Sequence, residues 1–170
     1  MGHPNYMTPR GYALICAELE WLEKDERPTI VAEVAYAASL GDRSENAEYI
    51  YGKKRLRQID SRRRYLIKRL EIARVVDPIA VVGEQIRFGA TVLLETEDGD
   101  EVTWRLYGED EVDVQGGVLS WRSPLGQALQ GKEEGDEVTV QVPAGKRVYA
   151  ILDVRYEPCP PLPDPLVFSR

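Results

Sequence analysis

Asp42 and Glu45 stand three residues apart in the stretch LGDRSENAEYIYGKKRLR, residues 40–57, where an acidic turn gives way abruptly to a basic run. Two carboxylates at this spacing have two uses. In a capping box each side chain satisfies a free backbone N–H of the other's residue at a helix start, and no ligand is involved. Alternatively they suit a hard cation such as Mg²⁺, which keeps several waters and takes one or two protein carboxylates. Alone, the pair would hold Mg²⁺ weakly, so the second use requires a partner that supplies the remaining ligands. Ser44 is a competing N-cap, and if it caps the helix both carboxylates are left for other work.

The basic run is the second feature with chemical potential. Between Gly52 and Arg74 there are ten basic residues against two acidic ones, a net +8, which leaves −15 for the rest of a chain whose total is −7. A merely solvated helix surface usually interleaves both signs, and this one does not. Lys53, Arg57, Arg64 and Lys68, spaced 4, 7 and 4, fall on one side of a helix. That stripe leads away from the acidic turn, as expected for a surface that follows a phosphate backbone.

Elements that position these groups follow from periodicity. Thr8-Pro9 reads as an N-cap followed by proline at the first helical position. Apolar residues recur at Tyr12, Ile15, Leu19, Leu22, Ile30, Val34 and Ala38, one stripe of a single helix, with Pro28 predicting a kink. After Leu40-Gly41, Tyr49, Leu56, Ile59, Leu66, Leu70 and Ala73 form a heptad seam, with Gly52 and Arg63 in the remaining seam positions. Neither helix can bury its stripe alone, so the two make an antiparallel hairpin. Helices of roughly 30 residues make an arm about 45 Å long, with Asp42 and Glu45 at its far tip.

Asp77-Pro78 ends the arm, and the period changes from 3.6 to 2. Residues 86–95 and 101–107 flank an Asp98-Gly99-Asp100 turn and predict a hairpin. Ser123-Pro124 opens a short helix that Gly131 closes, and 137–142 and 147–156 predict two more strands. Trp104, Trp121 and Tyr149 read as core aromatics. The fold class is thus an N-terminal antiparallel coiled-coil helical hairpin, residues 1–77, followed by a small antiparallel β domain with one short helix, residues 78–157. Residues 158–170 carry five prolines and predict a disordered tail, as do the first few residues before Thr8.

Two cysteines without a CxxC pair and a single histidine, His3, exclude a disulfide framework or a zinc site. No apolar run approaches the ~20 residues needed to span a bilayer, so the expectation is a soluble, cytoplasmic protein without a membrane partner.

The tip GDRSENAEY, the preceding ERP and AASLGD, the basic KKRLRQIDSRRRYLIKRLE and the later SPLGQALQGKEEGD together resemble the Gre transcript-cleavage factors, most closely the GreB type. The resemblance runs from residue 8 to about residue 157. It implies an FKBP-like β domain that docks on RNA polymerase and an arm that enters the polymerase secondary channel. There Asp42 and Glu45 would help hold a Mg²⁺ ion of the polymerase active site, which cleaves the 3′ end of backtracked RNA. By the same resemblance the basic face, with Lys53, Lys54, Arg57, Arg64 and Lys68, would hold the extruded RNA, and Ser123 and Pro124 would lie in the docking loop. Arg122 stands in that loop where the family usually has Asp or Asn, a departure from the family pattern. The implied protein is a monomer and not itself an enzyme; it carries no cofactor in isolation and shares Mg²⁺ only in the complex. Two other readings are a channel-binding inhibitor that does not promote cleavage, and a prolyl isomerase suggested by LGQALQGKEEGDEVTVQVPAG.

Overall fold

The computed structural model describes residues 2–41 and 46–170. They form two compact units, one made of Ala13–Ile72 with Pro163–Arg170, the other of Met1–Tyr12 with Ala73–Leu162.

The first unit is the predicted helical hairpin. Helix α1, Pro9–Trp21, runs into a π-helical turn, Leu22–Glu26, and then into α2, Arg27–Ser39. Pro28 has no N–H to return to the preceding turn, and the backbone answers by widening just upstream of it. The predicted kink is therefore a π turn, which inserts one extra residue into the helix. Its trace is visible in the buried positions Ile15, Leu22, Ile30 and Ala37, whose spacings are seven, eight and seven. Downstream of the turn Ala37 rather than the predicted Ala38 is buried, and Tyr12 is exposed.

Helix α3, Ala47–Glu71, presents Gly52, Ile59 and Leu66 to this stripe in an unbroken repeat of seven. Gly52 is a close-approach position, since a Cβ there would lie 2.4 Å from Val34 Cγ2. Ala73, predicted as the last seam residue, is not part of α3. It opens a short strand in the other unit.

The flanks of the seam are laced by ion pairs: Glu18–Arg62 at 2.6 Å, Glu23–Arg63 at 3.0 Å, Glu26–Arg55 at 3.5 Å and Arg27–Asp60 at 3.0 Å. Proline-rich composition predicts disorder from residue 158, yet Pro163–Arg170 belongs to this unit. Phe168 stacks on Trp21, and Arg170 bonds Glu26 and Glu33, so the segment has side-chain partners that composition does not reveal.

In the second unit the start of the chain is also ordered. Strand β1, Asn5–Met7, pairs in parallel with β2, Ala73–Val75. Thr8 caps α1 as predicted, its Oγ1 accepting from the Gly11 N–H at 3.1 Å. The same hydroxyl donates to the Glu111 carboxylate, which also accepts the N–H groups of Thr8 at 3.0 Å and Gly108 at 2.8 Å.

The main sheet has the order β5-β4-β3-β7-β6, with β3 Thr91–Thr96, β4 Glu101–Tyr107, β5 Val118–Ser120, β6 Glu137–Val142 and β7 Gly145–Arg155. Its four longer strands are antiparallel, as predicted, and β5 adds a parallel edge beside β4 that the sequence reading lacked. Strand β3 starts five residues later than predicted. Ile86 instead bonds the loop after the short helix, donating to Lys132 O and accepting from the Gly131 N–H, both at 2.8 Å. Helix α4, Pro124–Leu129, sits by the core of Ile86, Ala90, Val92, Leu94, Leu106, Leu129, Val138, Val140 and Ile151, against which Trp104, Trp121 and Tyr149 pack.

Candidate functional site

The end of the hairpin is built by three local devices. Leu40, the last capped residue of α2, donates its N–H to Ala37 O at 3.2 Å, and Gly41 follows with φ of +154°. Helix α3 then opens on Asn46, whose backbone is extended and whose Oδ1 accepts the Tyr49 N–H at 3.1 Å. The Asn46 amide also donates to Ala37 O at 2.7 Å, tying the start of α3 to the last turn of α2.

Asp42 and Glu45 lie outside the described residues, as does Ser44. The cap of α3 bears on them nevertheless. It is Asn46, so neither of the sequence candidates, Asp42 or Ser44, is the residue that caps α3. A cap signature was present in the sequence, an Asn immediately before the periodic run, and sequence reasoning passed over it in favour of the acidic pair.

Along α3 the basic residues divide by direction. Arg55, Arg62 and Arg63 lie toward α1 and α2 and are engaged in the interhelical ion pairs. Lys53, Lys54, Arg57, Arg64 and Lys68 are all exposed, and among the described residues none has an ion-pair partner. The stripe read from spacing, Lys53, Arg57, Arg64 and Lys68, thus falls among the exposed cations that take no part in the interhelical pairs. Lys54 and Arg57 line a shallow open groove with Gln58, Ser61, Arg62 and Tyr65, where the Arg62 and Arg69 guanidiniums lie 5.3 and 5.9 Å from the Tyr65 ring centroid.

In the other unit Ser123 caps α4, its Oγ accepting the Gly126 N–H at 3.1 Å, with Pro124 at the first helical position. The preceding Arg122 donates to Glu109 at 3.0 Å, and the same Glu109 oxygen is 2.9 Å from His3 Nε2. Nothing in the sequence linked His3, Glu109 and Arg122, which come from distant parts of the chain. Glu109 offsets the positive charge that Arg122 brings to this loop.

Among the described residues no group of three or more His, Cys, Asp or Glu side chains could hold a metal ion, and no helix is long and apolar enough to cross a membrane.

Family models place the chain. Residues 5–75 match the N-terminal domain of the transcription elongation factor GreA/GreB family, and residues 81–156 match its C-terminal domain. The GreB transcription elongation factor of Yersinia pestis is 48% identical over 158 residues, 93% of this chain and 92% of that protein. That of Pseudomonas aeruginosa is 48% identical over 154 residues, 91% of this chain and 92% of that protein. Among solved structures, the GreA factor homolog 1 of Thermus thermophilus aligns over 90% of this chain and 99% of its own, with 22% identity and a TM-score of 0.41. With both family domains matched in order and nearly half of all residues shared with GreB proteins along almost their full length, the chain belongs to the GreA/GreB family of transcription elongation factors and is of the GreB type.

Proposed function

We propose that the chain binds RNA polymerase as a monomer and stimulates the polymerase's own cleavage of backtracked RNA, with Asp42 and Glu45 as the groups it contributes. The observation that carries this reading is that Asn46, and not Asp42 or Ser44, caps α3. Family membership supports the rest, since members act in transcript elongation.

In this reading the hairpin is a carrier. Its ion-paired flanks hold α3, a helix about 37 Å long, against α1 and α2. The carboxylates at positions 42 and 45 would ligate Mg²⁺ shared with the polymerase, because two carboxylates are too few to make a site alone. When bound, that ion supplies a second metal to stabilise the attacking and leaving oxygens of an in-line displacement. Lys53, Lys54, Arg57, Arg64 and Lys68 would neutralise the phosphates of the extruded 3′ end. Ser123 and Pro124 would belong to the surface that docks on the polymerase, with Arg122 held by Glu109 beside them. The chain is not an enzyme in this account and the hydrolysis belongs to the polymerase.

The test uses an elongation complex stalled in the backtracked state, supplied with Mg²⁺ and the full chain. Shortened RNA is expected with the parent chain and not with Asp42→Ala or Glu45→Ala, each of which should still bind the polymerase. A parent chain that binds but leaves the transcript intact sinks the cleavage reading and identifies a channel-blocking inhibitor instead.

A further inference from the structure

Pro163–Arg170 lies beyond both family matches, the later of which ends at residue 156, so neither matched domain accounts for it. Its side chains alternate: Leu166 and Phe168 are half-buried, whereas Val167 and Ser169 are exposed. That is the pattern of an extended segment laid on a surface. The surface is a flank of the hairpin lined by Glu18, Trp21, Leu22, Arg55, Ile59 and Arg62.

Two contacts fix the register. The Phe168 ring stacks on Trp21 with centroids 5.6 Å apart and planes 29° from parallel. Two residues on, Arg170 Nε lies 2.8 Å from Glu26 Oε1, and its Nη2 lies 3.3 Å from Glu33 Oε1. Glu26 is only 6% exposed and sits in the π turn, and its other cation, Arg55, stands farther away at 3.5 Å. The segment therefore supplies the shorter of the two bonds to a buried carboxylate. A buried carboxylate deprived of a partner is costly, and this one lies where the regular helical hydrogen-bond ladder is interrupted.

We propose that this flank of the hairpin is a peptide-docking groove whose occupant is the chain's own segment Pro163–Arg170, acting as a strap that holds the π turn closed. An aromatic residue followed two positions later by arginine is the feature the groove selects. Trp21 takes the ring, and Glu26 with Glu33 takes the guanidinium. The strap and its seat both belong to the hairpin unit, so the inference does not depend on how the chain acts on a polymerase.

The experiment is amide hydrogen exchange on the full chain and on the full chain carrying Phe168→Ala with Arg170→Ala. In the variant, amides between Leu22 and Ile30 should exchange about tenfold faster, the scale set by losing one aromatic pair and the two ion pairs of Arg170, one to the buried Glu26 and one to the exposed Glu33. The synthetic peptide PDPLVFSR should restore protection when added at millimolar concentration, the effective concentration that a short tether provides. A scrambled peptide should not. Unchanged exchange in the variant overturns the strap, and faster exchange that the peptide does not reverse overturns the docking groove.

Discussion

Replacing Asn46 by alanine separates the structural duty at the hairpin end from the role proposed for Asp42 and Glu45. The Asn46 side chain makes two bonds, accepting from the Tyr49 N–H at 3.1 Å and donating to Ala37 O at 2.7 Å. Loss of an N-cap side chain costs about 1 kcal/mol. Loss of the second, half-buried bond adds about 1 kcal/mol more. Together these give about 2 kcal/mol, and for a protein of this size that corresponds to a fall of about 4–8 °C in the melting temperature. On the proposed reading, in which Asn46 and not the acidic pair caps α3, Asp42→Ala and Glu45→Ala should stay within about 0.5 kcal/mol of the parent.

The two sets of variants should therefore dissociate. Thermal unfolding followed by far-ultraviolet circular dichroism should show Asn46→Ala clearly destabilised and the carboxylate variants nearly unchanged. In the backtracked-complex assay, run well below every melting point, Asn46→Ala should retain most cleavage stimulation while Asp42→Ala and Glu45→Ala lose it. The reasoning is refuted if Asp42→Ala or Glu45→Ala melts as early as Asn46→Ala. In that case the acidic pair is a capping box after all, and lost cleavage is a consequence of a loosened hairpin.

Three further outcomes are expected. Reversing the charges of Lys53, Lys54 and Arg57 should weaken stimulation on long extruded transcripts and flatten its dependence on salt; the same activity and salt slope as the parent would remove these residues from the RNA path. Gly52→Ala brings a methyl group to 2.4 Å from Val34 Cγ2, an overpacking cost of about 1–3 kcal/mol against a helix-propensity gain of about 1 kcal/mol. It should lower stability in denaturant unfolding, and adding Val34→Ala should recover part of the loss; independent effects of the two changes would contradict the close approach. Burial raises the pKa of Glu111 above its ordinary 4.5, against the lowering effect of its bonds from Thr8 and Gly108. Its contribution is therefore fully present below pH 4.5 and is lost as pH rises through the higher folded value. The stability of the parent relative to Glu111→Gln should fall over that rise, and a difference that stays flat with pH would refute it.

Where a pattern repeats over many residues, the sequence alone was enough to read the fold. Gly52, Ile59 and Leu66 keep a seven-residue period, and Val138 and Val140 alternate with exposed neighbours, so α3 and β6 were predictable. Short elements stabilised by distant partners were not. Asn5–Met7 and Val118–Ser120 have three residues each, too few to display a period, and each joins as a parallel strand through a partner that only the folded chain supplies. The tail failed for a related reason. Its prolines argue against helix and sheet interior, but a single extended pass over Trp21 and Glu26 needs neither. The spacing of seven, eight and seven in the first stripe did hold a legible clue, since an extra residue in a heptad pattern is what a π turn inserts.

Charge shows how sequence and structure divide the candidate site. Counting the run from Lys53 to Arg74 marks it as basic, but counting cannot separate residues that stabilise the hairpin from residues that can meet a ligand. The fold makes that separation through Glu18, Glu23 and Glu26, which take Arg62, Arg63 and Arg55. Arginine suits these interhelical positions because its planar fork holds a carboxylate in a fixed geometry. Lysines 53, 54 and 68, with Arg57 and Arg64, are left outward. A chain with net charge −7 can therefore carry several exposed cations along one helix, because the acidic excess lies elsewhere and part of it is spent on pairing the other arginines of that helix. Glu18, Glu23, Glu26 and Asp60 all have arginine partners across the hairpin, and the helix that follows Glu45 in sequence is capped by Asn46, so the sequence case for a capping box at Asp42 no longer stands.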